Sequence, residues 1–130
     1  MSNRRKQRER KSNKGEQCLE IVLSLLYPNH TFEKNGRYDF LKNPLTGHNL
    51  ELDFYNDTLK LAFEFDGRQH FDPNHYSHRI KKDKNSFINQ VIRDDIKDAL
   101  CIQNGIKLVR IPWNAVSVSD VITFIYLTDK

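Results

Sequence analysis

The chain of 130 residues lacks any run approaching 18 apolar side chains, so no stretch reads as a membrane-spanning helix. Its first residues are polar and basic, without the apolar stretch of a secretory signal. The expected setting is therefore inside the cell, in the cytoplasm or in the nucleoid or nucleus. Cysteine is scarce. Cys18 and Cys101 lie far apart and neither has a C-x-x-C partner. They read as two reduced thiols of an intracellular protein, with a Cys18–Cys101 disulfide as the other arrangement the sequence allows. Beyond the N-terminal tail there is no internal repeat and no low-complexity tract.

What is present is enough for one modest core. Hydrophobic residues make up 38% of the chain, and eight Phe, five Tyr and one Trp supply bulk, which fits a single domain. The net charge of +4 hides an asymmetry. Arg4, Arg5, Lys6, Arg8, Arg10, Lys11 and Lys14 oppose only Glu9 in residues 1–14, whereas acids outnumber bases by two in the remainder. The basicity thus belongs to a tail, residues 1–14, expected to be disordered alone. Residues 15–130 form the domain. Such a tail suits phosphate binding by counterion release, or it serves as a solubilising or nuclear-import segment.

Along the domain, Cys18, Leu19, Val22, Leu23 and Leu26 recur at helical spacing, and Pro28 closes the segment, predicting a helix over 15–27. Residues 31–41 read as one or two short strands around Asn35-Gly36. Residues 72–84 are polar, with a basic cluster at Arg79, Lys81, Lys82 and Lys84. From about Ser86 to Gln103 the pattern is helical, with Ile88, Val91, Ile92, Ile96, Ala99 and Leu100 on its apolar face and Asn104-Gly105 as the stop. Ile106–Ile111 reads as a buried strand ended by Pro112, and 116–127 as a last helix. The helix before the last strand allows a parallel pair in a mixed sheet.

The stretch that organises this order is LELDFYNDTLKLAFEFDGRQHF, residues 50–71. Leu50, Leu52 and Phe54 alternate with Glu51 and Asp53. After Asn56-Asp57-Thr58, Leu59, Leu61, Phe63 and Phe65 alternate with Glu64 and Asp66. A period of two predicts a β-hairpin with one buried face. The opposite face then gathers Asp53, Glu64 and Asp66, with Asp53 within roughly 5–8 Å of Glu64. Carboxylates that close repel, and a cation neutralises them. The alternative is a solvated outer strand face.

Three blocks, LAFEFDGRQH (61–70), RDDIK (93–97) and GIKLVRIPW (105–113), together with an acid on the first helix and Asp53 on a strand, resemble the PD-(D/E)XK nuclease superfamily. The match is to its branch related to very-short-patch repair endonucleases, and covers about residues 15–113. The resemblance implies an α/β, restriction-endonuclease-like core in α-β-β-β-α-β order, with a mixed sheet of about four strands flanked by helices. It also implies Mg²⁺-dependent (or Mn²⁺-dependent) hydrolysis of DNA phosphodiester bonds, with duplex DNA as partner. Asp53 and Glu64 would be metal ligands, with the Phe65 carbonyl a third and Glu16 the helical acid, Glu20 standing behind it. Mg²⁺ suits an oxygen-only set. Where the family most often has Lys after the Glu, this chain has Asp66, which would be a further ligand in a two-metal arrangement. His70 would then orient or deprotonate the attacking water, or protonate the leaving oxygen, its ordinary pKa being near neutrality, and Gln69 would position that water. Arg79, Lys81, Lys82 and the tail would grip phosphates.

Other residues keep two readings. Glu16 also suits a first-turn helix acid. His70, His75 and His78 suggest zinc or, more simply, loop histidines and phosphate contacts. Asp94 and Lys97 either face the site or make a surface ion pair. Arg110 and Trp113 are DNA contacts or core. Glu51 reads as a solvated strand charge. The competing functions are an inactive nuclease-fold DNA-binding protein, and a nuclease acting on RNA or branched DNA. A homodimer would allow double-strand cutting.

Overall fold

The computed structural model describes residues 14–66 and 83–128, with side chains from residue 88 onward in the second span. Helix α1 (Lys14–Leu26) buries Gly15, Cys18, Leu19, Val22 and Leu23, a stripe at i, i+3 and i+4 spacing. Strands β1 (Glu33–Lys42), β2 (Asn49–Asn56) and β3 (Leu61–Phe65) follow, then α2 (Asp83–Gln103), β4 (Lys107–Ile111) and α3 (Val118–Thr128). The four strands form one sheet in the order β1-β2-β3-β4. β1/β2 and β2/β3 are antiparallel, and β3/β4 is parallel. The crossover containing α2 is what permits that parallel pair. The α/β mixed sheet flanked by helices is as expected.

Local details depart from the sequence reading. Asn35-Gly36 is no turn: β1 runs through it, with Asn35 at φ 56° inside the strand. The β2–β3 connection extends to Lys60, whose φ is 52°, and Asn56 Oδ1 accepts the Leu59 N–H at 2.8 Å to close it. Leu59 therefore belongs to the turn. At the end of α2, Gly105 takes φ 70°, and Ile106 N–H donates to the Cys101 carbonyl at 2.9 Å, a left-handed helix stop.

The hairpin was expected to bury one face, yet both are buried. Beneath α1 and α3 lie Phe54, Phe63, Val109 and Ile111, packed with Leu19, Val22, Val121 and Ile125. Beneath α2 lie Leu41, Leu50, Leu52, Tyr55 and Ala62 with Cys101 and Ile106. The two cysteines are free and sit in different clusters. The α2 face predicted to be apolar is only half used. Ile96 and Leu100 pack on the core, whereas Ile88, Val91 and Ile92 are exposed. No described helix is long and apolar enough to cross a membrane.

Candidate active site

The regular pairing of β2 with β3 runs from Asn56↔Leu61 to Phe54↔Phe63. Beyond it, carboxylates take over the ladder. Asp53 N–H donates to Glu64 Oε2 at 3.0 Å, and Phe65 N–H donates to Asp53 Oδ2 at 2.9 Å. Each side chain satisfies a backbone donor of the other strand. The break in the alternation shows in the core as well: Leu52 and Phe54, two residues apart, join different clusters. Asp53 and Glu64 are thus brought together, as the hairpin register predicted.

Glu64 is buried, only 7% exposed. Its charge is met by Lys97 Nζ, which donates to Oε1 at 3.0 Å and to Oε2 at 3.1 Å. Lys97 is itself only 8% exposed. Burial, the dominant influence, pushes the Glu64 carboxyl up to about 7; Lys97 draws it down and Asp53 adds to the rise. The surface ion pair of Asp94 with Lys97 is accordingly corrected. Lys97 turns inward to Glu64, because the C-terminal half of α2 is the half that lies on the sheet.

Helical spacing puts Asp94, Lys97, Asp98 and Cys101 on one side of α2. Arg110, the register partner of Glu64 on β4, meets that side. Its Nη1 donates to Asp66 Oδ1 at 3.1 Å and stands 3.8 Å from Glu64 Oε1. Its Nε and Nη2 reach Asp98 Oδ1 at 3.2 and 2.9 Å, and Nη2 also donates to the Asp94 carbonyl at 3.3 Å. Burial opposes the Arg110 charge, but the bond to Asp98 and the charges of Asp66 and Asp98 hold it firmly protonated. Arg110, which the sequence leaves between DNA contact and core, is held in an internal bond network. The Cys101 thiol, one turn after Lys97, is pushed up to about 11, chiefly by burial, so it stays protonated and unreactive at neutral pH.

An open cleft of about 360 Å³ adjoins this network, lined by Asp98, Cys101, Ile102, Ile106, Leu108 and Arg110. Another, of about 220 Å³, lies between α1 and the start of β1 and holds none of the clustered charges.

Glu16 sits in the first turn of α1, and its neighbour Gly15 touches the Phe65 ring so closely that a Cβ there would collide. That contact brings the start of α1 to the end of β3, on the face opposite α2. Among the described residues no three His, Cys, Asp or Glu side chains come together as a group able to hold a metal. Asp53 and Glu64 are the pair the fold joins, while Asp66 is bonded to Arg110. A divalent cation still has donors here. Among the described residues, Asp53 Oδ1 accepts no hydrogen bond, its partner oxygen taking the Phe65 N–H. The Phe65 carbonyl leaves the strand on the same edge as that N–H. Two carboxylates and a carbonyl are all-oxygen donors, and Mg²⁺ commonly takes only one or two carboxylates while keeping several waters.

Gln69, His70, His75, His78, Arg79, Lys81, Lys82 and the basic residues Arg4 to Lys11 lie outside the described residues. Lys14 is the first residue of α1 and is exposed. Glu51 is bonded to Arg37 at 3.2 Å near the surface, as a strand-face charge would be. Lys97 is the residue that sequence reasoning left undecided. Its signal was a lysine set among Ile96, Leu100 and Cys101.

No known family model matches the chain, and no solved structure matches it. Similar sequences occur in viruses. Uncharacterized protein 033L of Invertebrate iridescent virus 3 is 40% identical over 108 residues, covering 83% of this chain and 50% of the relative. Uncharacterized protein 307L of Invertebrate iridescent virus 6 is 39% identical over 96 residues, covering 70% and 46%. Uncharacterized protein 094L of Frog virus 3 is 42% identical over 82 residues, covering 63% and 51%. The chain spans about half the length of the relatives it matches.

Proposed function

We propose that the chain is a metal-dependent endonuclease with a restriction-endonuclease-like core, hydrolysing phosphodiester bonds of DNA. The observation that carries this reading is the Asp53–Glu64–Lys97 constellation, in which two carboxylates at a strand divergence meet a buried lysine. In the resembling superfamily a lysine follows the Glu by two residues. Here Asp66 stands at that position, and α2 delivers Lys97 to Glu64 instead.

Asp53, Glu64 and the Phe65 carbonyl are the groups that would hold Mg²⁺. When bound, the ion lowers the pKa of a coordinated water and shields charge on the scissile phosphate. Lys97 carries a fixed positive charge in a site shielded from water, where it holds Glu64 oriented and opposes negative charge building on the phosphate. The residues of the RDDIK block thereby acquire a reason to be on a helix. His70 and Gln69 keep the water-handling roles that the resemblance implies. The reading of an inactive nuclease-fold DNA-binding protein rests on the absent lysine, and Lys97 bonded to Glu64 supports the active reading over it.

The test is cleavage of supercoiled plasmid, mismatched duplex, branched DNA and RNA with Mg²⁺, using wild type, Asp53→Ala, Glu64→Ala and Lys97→Met. Both carboxylate variants should lose metal-dependent cleavage while circular dichroism still shows a folded chain. Lys97→Met should lose about 10²–10³-fold in kcat, the usual cost of removing one preorganised charge-stabilising donor. Cleavage unchanged in Asp53→Ala and Glu64→Ala would sink the assignment.

A further inference from the structure

The proposed metal site leaves Asp66 without a task, and its surroundings point to one. Asp66 is only 7% exposed, its N–H donates to the Ile111 carbonyl at 2.9 Å, and its Oδ1 accepts from Arg110 Nη1 at 3.1 Å. The same guanidinium grips α2 through Asp98 Oδ1 and the Asp94 carbonyl. Arg110 thus ties the end of β3 to α2 from a position on β4. The tie falls next to both halves of the site, since Asp66 follows Phe65 and Asp98 follows Lys97.

We infer, building on the nuclease reading above, that Asp66 is a positioning residue and not a metal ligand. The Asp66–Arg110–Asp98 chain fixes α2 against β3 so that Lys97 stays on Glu64, and the site takes a single divalent cation. Arg110 is held at once by Asp66, Asp98 and the Asp94 carbonyl, so its planar guanidinium cannot draw back from Asp66 to admit a dication there, whereas the Lys97 ammonium ends a flexible stem and can shift on Glu64. A planar, forked guanidinium is suited to join two carboxylates at once, and a lysine ammonium is not.

The experiment counts Mn²⁺ bound to the full chain by electron paramagnetic resonance and, in parallel, follows Mn²⁺-dependent nicking of supercoiled plasmid. Wild type should bind one Mn²⁺. Asp66→Asn and Arg110→Lys should hold Mn²⁺ within about threefold of wild type, while kcat falls about 10–100-fold, as when a supporting partner is lost, and KM for plasmid stays nearly constant. The double variant should lose no more than the worse single one, because the two side chains act through one link. Two Mn²⁺ per wild-type chain, Mn²⁺ binding weakened about tenfold or more in Asp66→Asn, or additive losses in the double variant would overturn the inference. Should Asp66→Asn fail to fold, Arg110→Lys carries the same comparison. Asp53→Ala separates the two levels. If it keeps both Mn²⁺ and nicking, the nuclease reading fails. If it loses both while Asp66→Asn also loses Mn²⁺, only the positioning role falls.

Discussion

Beneath α1 and α3 the sheet meets apolar side chains: Phe63, Val109 and Ile111 close on Leu19, Val22 and Val121. Beneath α2 the sheet begins alike, with Leu52 and Ala62 packed near Cys101 of the helix, and then Glu64 and Arg110 of the strands gather with Lys97 of the helix. Both regions are buried, but by opposite means. The first gains from removing apolar surface from water. The second takes charges out of water and recovers the cost only through their mutual bonds, which for buried pairs leaves little net stabilisation. For buried ion pairs in general an apolar repacking is often about as stable, so stability is a weak reason for a charged cluster at that end of the sheet. One face holds the fold, and the other face gathers the charges on which the proposed chemistry rests.

Substitutions on each face break that contrast in graded ways. The largest effect on stability is expected from Phe63→Ala on the apolar face. Removing a fully buried ring should cost about 3–5 kcal/mol, measured by urea denaturation, with any activity lost only in step with folding. Lys97→Met should cost less, up to about 3 kcal/mol at pH 8 and less at pH 5. In its absence Glu64 simply keeps its proton, and a neutral carboxyl needs no counter-charge.

A third expectation concerns pH. The Glu64 carboxyl sits at about 7 in the folded chain against 4.5 for an unperturbed Glu. Between those values the folded state binds more protons than the unfolded state, so stability falls as pH rises through that window and levels off above it. A single group contributes at most about 1.4 kcal/mol per pH unit. Glu64→Gln should flatten this slope relative to wild type, and identical slopes in the two proteins would contradict the burial of Glu64. The smallest effect belongs to the exposed Lys34–Glu20 pair, 3.2 Å apart. Lys34→Ala should change stability by less than about 1 kcal/mol, and salt should erase most of that difference.

The order of helices and strands was legible because hydrophobic periodicity is a local property. Asp53 and Glu64 were legible too, since pairing across a hairpin follows from strand register. The second buried face was harder to see. Tyr55 and Ala62 fill it, but the phase of Leu50, Leu52 and Phe54 suggests a single apolar side, and the division of Leu52 and Phe54 between different clusters is not written in the alternation. Helical spacing places Ile88, Val91 and Ile92 on the apolar face of α2, yet they are exposed. Where a helix overhangs its sheet is a matter of tertiary packing. Lys97 and Arg110 were ambiguous for a related reason. Each is a charged residue whose burial depends on partners 33 and 44 residues away in sequence, and no local pattern encodes such distances.

The central claim is that Glu64 sits buried on Lys97 in a site built for a divalent cation. The most direct test is the pKa of the Glu64 side-chain carboxyl, followed by carbon-13 NMR with and without saturating Mg²⁺. The account predicts a value of about 7 without metal and a fall of two units or more, on the order of the shift a nearby opposite charge produces, once Mg²⁺ binds. A carboxyl that titrates near 4.5 in the free chain, or one that Mg²⁺ leaves unmoved, would contradict it.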